Sequence, residues 1–426
     1  MTRTMSDMHG IAVIGGGAAG MLAAIEASEY GIPVTLFEKN ERLGRKLGIT
    51  GKGRCNVTND CTADEFFASV TKNPRFLYSA YSFFPSEDVK TFFENAGVPL
   101  KTERGKRVFP VSDKASDIVN ALKKVCREKG VHVINEKVTH LTAENGRITG
   151  LESSRKKYVF DAVILCTGGR SYPATGSDGD GYRMAREVGH SISEILPSLV
   201  PIVEDGHICR EMQGLSLKNV TLRIKNRENG KTVFEEMGEM MFTHFGLTGP
   251  LVLSASAHIR DICRGKYAAV IDLKPALDEK KLDTRLLSDF GKYANRDFAN
   301  SLSDLLPQKM IATVVSLSGI DVAKKVNSIT KEERQRLVSL LKHFEIPLLG
   351  FRTIDEAIIT SGGVCVKEIT PKTMESKLIE NLYFAGEVID VDAYTGGFNL
   401  QIAFSTGALA GASAAEKVLL ERNTEQ

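Results

Sequence analysis

The stretch His9-Gly-Ile-Ala-Val-Ile-Gly-Gly-Gly-Ala-Ala-Gly20, with Val34-Thr-Leu-Phe37 and Glu38 beyond it, decides the fold. It reads as a short apolar strand, a glycine turn, a helix running to Gly31, and a second strand ending in an acid. Gly15, Gly17 and Gly20 stand at the G-x-G-x-x-G positions. The first permits a tight turn, the second lets backbone approach a pyrophosphate, and the third packs helix against strand. Phosphates suit such a helix N-terminus, here opened by Ala18 and Ala19, because unpaired N–H groups and the dipole favour an anion. Glu38, 23 residues past Gly15, is placed to accept hydrogen bonds from adenosine ribose hydroxyls. The glycines alone would be a weak signal. Framed by both strands and the acid, they point to a dinucleotide-binding unit.

A chain of 426 residues is too long for one core, so two or three domains are expected. Its composition, 42% apolar and 25% charged, is that of a soluble globular protein. No run of about 18 apolar residues is present, so no membrane-spanning helix is expected. Residues 1–9 lack the apolar core of a secretory signal, and a cytoplasmic location is expected. Cys55, Cys61, Cys126, Cys166, Cys209, Cys263 and Cys365 form no C-x-x-C pair. That fits free thiols in a reducing compartment and argues against a disulfide oxidoreductase. The eight histidines have no metal-ligand spacing, so no metal is expected. A formal charge of +2 does not demand a nucleic-acid partner, although basic clusters at 101–107 and 123–129 are compatible with one.

After the opening unit, residues 62–96 read as helical, with aromatic pairs such as Phe66-Phe67 and Phe92-Phe93 as core. Asp113 to Lys129 reads as a helix with Ser112 as its cap. Short strands follow, with Glu144-Asn-Gly-Arg147 as a turn. The run Asp161-Ala-Val-Ile-Leu-Cys-Thr-Gly-Gly169 then returns the chain to a parallel sheet at its ligand-binding edge. From about 195 the pattern turns to β, with Asn229-Gly230 as a hairpin turn. From about 275 it turns to α. Phe298, Leu302, Leu305 and Leu306 follow helical spacing there, and Thr330 with Glu333 forms a capping box. Asn381-Leu-Tyr-Phe-Ala-Gly-Glu-Val388 and a helix from Ile402 to Glu416 repeat the strand–glycine–helix theme, so the dinucleotide domain is expected to be discontinuous.

Four elements coincide: the fingerprint, Thr167-Gly168-Gly169, the late Ala385-Gly386-Glu387 with Asp390, and the block Arg42-Leu-Gly-Arg-Lys-Leu-Gly-Ile-Thr-Gly-Lys-Gly-Arg-Cys-Asn-Val-Thr-Asn59. Together they resemble flavoproteins with a glutathione-reductase-like FAD domain. More narrowly the chain resembles the BaiN/RdsA-type three-domain family, to which aminoacetone oxidase also belongs. Asn73-Pro-Arg-Phe-Leu-Tyr78, Arg107-Val-Phe-Pro110, Ser171-Tyr-Pro-Ala-Thr-Gly-Ser177, Phe242-Thr-His-Phe-Gly-Leu-Thr-Gly-Pro250 and Tyr394-Thr-Gly-Gly-Phe-Asn399 extend the likeness over nearly the whole chain. It implies an α/β fold in which a glutathione-reductase-like, FAD/NAD(P)-binding Rossmann-type domain (1–194 and 366–426) is interrupted by a β-barrel-like domain (195–274 and 347–365). That domain is itself interrupted by a small helical one (275–346). It implies tightly held, non-covalent FAD, with NAD(P)H as a possible electron donor. The activity implied is an oxidoreductase, first of all a reductase of an activated C=C bond in an unidentified small molecule. Reduction of a uridine of ribosomal RNA, an amine oxidase, and a non-enzymatic flavin sensor are the alternatives.

Each part of FAD needs its own surface. Lys39, Arg45 and Lys46 follow Glu38 closely enough to neutralise phosphate or edge the adenine, or else form a solvated basic loop. The resemblance places Val138 beside the adenine and Thr167 and Gly168 near the pyrophosphate or adenosine. Gly53, Arg54, Cys55 and Asn56 are placed beside the flavin ring or ribityl chain, with Cys55 read as a packed thiol. The likeness gives Gly386, Glu387 and Asp390 to the ribityl hydroxyls. Gly397, Phe398 and Asn399 open a helix whose N–H groups suit negative charge at flavin N1/C2=O. His244, Tyr172 and Tyr394, in glycine-punctuated turns, are the candidates for proton transfer. A substrate is expected over the flavin, beneath the barrel-like insert.

Overall fold

A short strand without polar alternation belongs in a sheet covered on both faces, and Ile11–Ile14 is such a strand, buried at every residue. It lies at the centre of a five-stranded sheet in the order Leu382–Phe384, Ala162–Leu165, Ile11–Ile14, Val34–Phe37, His132–Ile134. All four pairings are parallel. Ile14 is level with both Phe37 and Leu165, and Leu165 with Phe384. Four strands therefore release their following loops at one edge: residues 15–17, Glu38, 166–169 and 385–390. The computed structural model describes residues 5–7, 9–259 and 261–424.

Two compact units divide the chain: Met1–Ser198 with Ala357–Gln426, and Leu199–Glu356. In the first, the helix Ala18–Ser28 buries eight of its residues. The helix Phe398–Thr424 lies backbone to backbone against it. A Cβ at Gly407 or Gly411 would stand 2.5 or 2.3 Å from the carbonyl oxygen of Ala19 or Ala23. Around this core sit an antiparallel sheet of Thr58–Asn59, Arg107–Pro110 and Leu100–Glu103 and the two-stranded pair Leu196–Ser198 with Ile359–Ser361.

In the second unit, six strands close a barrel in the order Ile202–Glu204, Gly246–Thr248, Thr232–Phe242, Ser216–Asn226, Tyr267–Asp272, Phe344–Phe351. Every neighbour is antiparallel. Between the last two strands run the helices Glu279–Lys292, Gln308–Ser318 and Lys331–Lys342. The Thr330–Glu333 capping box is formed, with Leu337 and Leu341 buried behind it.

Local readings failed where tertiary pairing or proline intervened. Within 62–96, Val70–Lys72 leaves the helical pattern to pair with Asp392–Ala393. The spacing from Phe298 to Leu306 yields only a 3₁₀ turn at Phe298–Asn300. The next helix waits for Gln308, because the residue before Pro307 is pushed away from α. Ser112 does not cap its helix; Lys114 stands at that position, and its N–H donates to Ser112 Oγ at 3.3 Å. Among the described residues no helix is long and apolar enough to cross a membrane.

Candidate cofactor site

The glycines of the opening turn are required for different reasons. Gly15 takes φ +108°, and a Cβ there would stand 2.5 Å from the Cys166 carbonyl oxygen. One at Gly16 would meet Leu43 at 2.3 Å, and one at Gly20 would stand 1.8 Å from the Gly15 oxygen. Gly17 differs. Its φ of −85° suits any residue, and a Cβ there would meet nothing within 4 Å. Backbone explains Gly15 and Gly20, and the Leu43 side chain explains Gly16, but no packing explains the glycine at the helix N-terminus. Open space at that end, with no acid in the first turn of Ala18–Ser28, fits a pyrophosphate.

Other segments close around this turn. The Gly44 N–H donates to the Gly16 oxygen at 2.8 Å, tying the block 42–59 to the fingerprint. Gly386 comes so close to Ala19 that a Cβ there would be 2.8 Å from the Ala19 methyl, and its N–H donates to Thr406 Oγ1 at 2.9 Å. Gly397, at φ +100°, lies against the Thr58 carbonyl, which a Cβ would approach to 2.3 Å. Thr167 follows Cys166 at the same edge, and its buried Oγ1 has no partner. The buried Oδ1 of Asn56 is likewise unpaired. Orphaned buried oxygens of this kind cost about 1–3 kcal/mol and call for a donor. With the open helix end, they fit a bound hydroxyl- and phosphate-rich group such as FAD.

Several expected ligand side chains have partners within the chain. Glu38 is buried; its Oε2 accepts from the Gly16 N–H at 2.8 Å, and its Oε1 from Asn40 N–H and Nδ2 at 2.8 and 2.7 Å. Lone pairs remain for a ribose. Arg45 donates to Asn40 Oδ1 at 2.8 Å, bracing the same acid. Lys39 pairs with Asp178 and Asp180 at 2.6 and 3.0 Å. Val138 is buried at the start of the strand Val138–Glu144. Lys46 Nζ donates to Glu387 Oε2 at 2.6 Å and Ser171 Oγ at 2.8 Å, and Glu387 Oε1 accepts from the Thr360 N–H at 2.8 Å. Arg54 turns to Glu103 and Asp113, each at 2.5 Å, with its guanidinium over Phe109. Gly53, at φ +83°, stays open. Asp390 is buried, ion-paired with Lys72 at 2.5 Å and accepting from Ser193 Oγ at 2.7 Å. Asn399 Oδ1 accepts from the Ala393 N–H at 3.0 Å, and its Nδ2 donates to the Ala393 and Tyr394 carbonyls at 2.7 and 3.2 Å. That side chain holds the turn, and Phe398 is buried beside it. Burial pushes the Cys55 thiol up to about 12, so it is inert at neutral pH.

Tyr172, at φ +54°, caps the short helix Pro173–Thr175 and is half-buried. Tyr394 is half-buried, its N–H donating to the Ser69 carbonyl at 3.0 Å. His244 lies in the second unit, exposed in the turn between Thr232–Phe242 and Gly246–Thr248. Its ring meets Phe245 edge-on, and Arg352 lies over Phe245 at 4.6 Å. Sequence reasoning missed Lys72, Ser171, Ser193 and Thr360. Each becomes visible only through a partner at least 27 positions away.

Residues 9–413 match the HI0933-like protein Rossmann domain. The chain belongs to this family. It is 29% identical over 414 residues to a 3-dehydro-bile acid delta(4,6)-reductase of Clostridium scindens, covering 96% of this chain and all of that one. It is 31% identical over 396 residues to a ribosomal RNA dihydrouridine synthase of Escherichia coli, covering 92% of this chain and 95% of that one. In fold it is similar to the 3-ketosteroid delta1-dehydrogenase of Sterolibacterium denitrificans, with a TM-score of 0.50 at 14% identity over 96% of this chain and 99% of that one. The expected FAD-binding Rossmann-type domain with a barrel is thus present, and so is the expected membership in a family of flavin-dependent oxidoreductases.

Proposed function

We propose that this flavoprotein reduces a C=C bond conjugated to a carbonyl, in a small molecule or in a uracil base. The observation that carries the cofactor is Gly17, a glycine without a packing reason at the mouth of a helix. The choice of reaction is supported by the two relatives matched over nearly their whole lengths, a delta(4,6)-reductase and a dihydrouridine synthase. Both names describe the saturation of such a bond.

When bound, FAD supplies hydride transfer at flavin N5. The chain binds, orients and moves one proton. N–H groups at the start of Ala18–Ser28 would hold the pyrophosphate, and Glu38, oriented by Gly16 and Asn40, would hold the adenosine ribose. Thr167 Oγ1 and Asn56 Oδ1, both unpaired, would accept hydrogen bonds from hydroxyls of the bound group. The N-terminus of Phe398–Thr424, fixed by Asn399, would offer N–H groups to negative charge on the flavin. A conjugated C=C bond that receives hydride at its far carbon needs a proton at the near one, and His244, Tyr172 and Tyr394 are the residues of this chain for that step. NAD(P)H is the donor in this reading, and the cytoplasm the location.

Anaerobic stopped-flow mixing tests it. Bleaching of the bound flavin by NADPH or NADH, then reoxidation by an α,β-unsaturated carbonyl acceptor, is expected. Fast bleaching by primary amines, with none by nicotinamides, would establish an amine oxidase instead. The uracil reading is favoured by the exposed hairpin that carries Arg104 and Arg107, beside Lys106, which is ion-paired with Glu65 at 2.7 Å. Loss of one dihydrouridine from ribosomal RNA in a deletion strain is its expected signature, and an unchanged modification map would remove it.

A further inference from the structure

The helices inserted in the barrel unit carry a cavity of about 570 Å³, lined by residues including Asn295, Arg296, Asn300, Ser303, Gln308 and Lys325. It lies far in sequence from the fingerprint, in the unit Leu199–Glu356. Its size falls within the roughly 300–1,000 Å³ of ordinary ligand sites.

The walls identify its chemistry. Of the lining residues only Ala299 and Ile311 are apolar, too few for an amphipathic helix or a lipid chain. Lys325 is paired with Asp297 at 2.7 Å, which holds one wall in place and leaves Arg296 as the cation without a carboxylate among the described residues. The Arg296 guanidinium lies over the Tyr293 ring at 4.6 Å, a flat surface of the kind on which nucleobases stack. Asn295, Asn300, Ser303 and Gln308 make no side-chain hydrogen bond among the described residues and line one opening. Amides read base edges through paired donor and acceptor atoms, and arginine holds phosphate or guanine. Gln308 is the first residue of Gln308–Ser318, which has no side-chain cap and no acid in its first turn, so its end also suits a phosphate.

We infer that this groove is a docking site for unpaired RNA, binding a looped or single strand by base edges and one phosphate. The inference rests on the uracil reading above, since an RNA substrate needs contacts beyond the reacting base. It assigns those contacts to the inserted helices.

The test uses full-length, flavin-loaded protein and fluorescence anisotropy with two labelled probes, a mixed-sequence single strand of twelve nucleotides and a hairpin with a seven-nucleotide loop. Arg296→Gln with Asn300→Ala should weaken binding of both at least tenfold while the flavin spectrum and the Tm stay unchanged. Arg296→Gln alone should reduce the slope of log Kd against log salt by about 0.7, the value of one phosphate contact on a single strand. Lys281→Gln removes the same charge from an exposed position of the same insert outside the groove, and should leave binding within twofold. No binding by the wild-type protein, or equal losses from Arg296→Gln and Lys281→Gln, would overturn the inference. Dihydrouridine in ribosomal RNA that depends on this protein, together with unchanged binding by the double variant, would leave the uracil reading and remove the groove. Groove-dependent binding without any dihydrouridine would do the reverse.

Discussion

The two units pack their helices in different ways. In the first, helices rich in alanine and glycine lie on one another through backbone, as Gly407 and Gly411 do against Ala19 and Ala23. In the second, the strand Ser216–Asn226 alternates buried with half-buried residues from Val220 onward, and the inserted helices turn leucines inward and charges outward. Along the helix pair of the first unit there is no room for an added atom, whereas the inserted helices of the second are sensitive to the loss of a side chain. Ligand chemistry differs accordingly. The fingerprint presents N–H groups held by close backbone contacts, and the inserted groove presents side chains.

This contrast is open to test, from the largest effect to the smallest. Gly20→Val should yield no folded, flavin-binding protein, because its Cβ would stand 1.8 Å from the Gly15 oxygen within the backbone. Circular dichroism and soluble yield would report it, and a stable yellow variant would break the comparison. His244→Ala should slow acceptor reduction by about 10²–10⁴-fold, as the loss of a general acid does. Flavin reduction by nicotinamide should be unchanged; equal rates with the acceptor would pass the proton step to Tyr172 or Tyr394. Leu337→Ala should destabilise the second unit by about 2–5 kcal/mol, since the side chain is fully buried. Urea unfolding followed by hydrogen exchange would place that loss in residues 199–356 and leave the parallel sheet protected.

Gly17 is the exception within the fingerprint. Gly17→Ala should fold normally but hold FAD more weakly than wild type, because its Cβ takes part of the pyrophosphate's space, and Gly17→Glu should fold yet bind FAD more than tenfold more weakly, because a carboxylate would also repel the pyrophosphate. Flavin content after gel filtration would distinguish the pair. The smallest effect concerns Asp180. Burial opposes its charge, but Lys137 and Lys39 outweigh burial and hold the carboxyl at about 2, against 3.8 for an ordinary aspartate. The unfolded chain therefore binds the proton more readily, and this contribution is complete above about pH 4 and lost as pH falls towards 2. Asp180→Asn should lower the urea midpoint slightly at pH 5, with the gap to wild type narrowing by pH 2.5. A constant gap would mean the two lysines do not act through charge.

The sequence by itself determined what depends on neighbours within a few residues. The spacing of Gly15, Gly17 and Gly20, the acid at Glu38, the capping box at Thr330 and Glu333, and the turn at Asn229-Gly230 are set by backbone sterics and local hydrogen bonding. They were readable without a structure. The order of a parallel unit, a β segment and a helical segment followed from changes in hydrophobic period. Tertiary structure decided which polar side chains were already engaged. Lys46 meets Glu387, 341 positions away; Asp390 meets Lys72 and Ser193; Arg54 turns from the expected flavin to Glu103 and Asp113. No local pattern encodes such pairings, because a charged side chain carries no mark of the partner that neutralises it. The strand Val70–Lys72, hidden in a helical stretch, exists because Asp392–Ala393 completes its hydrogen bonds. Even the meaning of the glycines was divided in this way. Their spacing was legible as sequence, but the chain had to fold before Gly15 and Gly20 could be seen filled by backbone and Gly17 left open to a ligand.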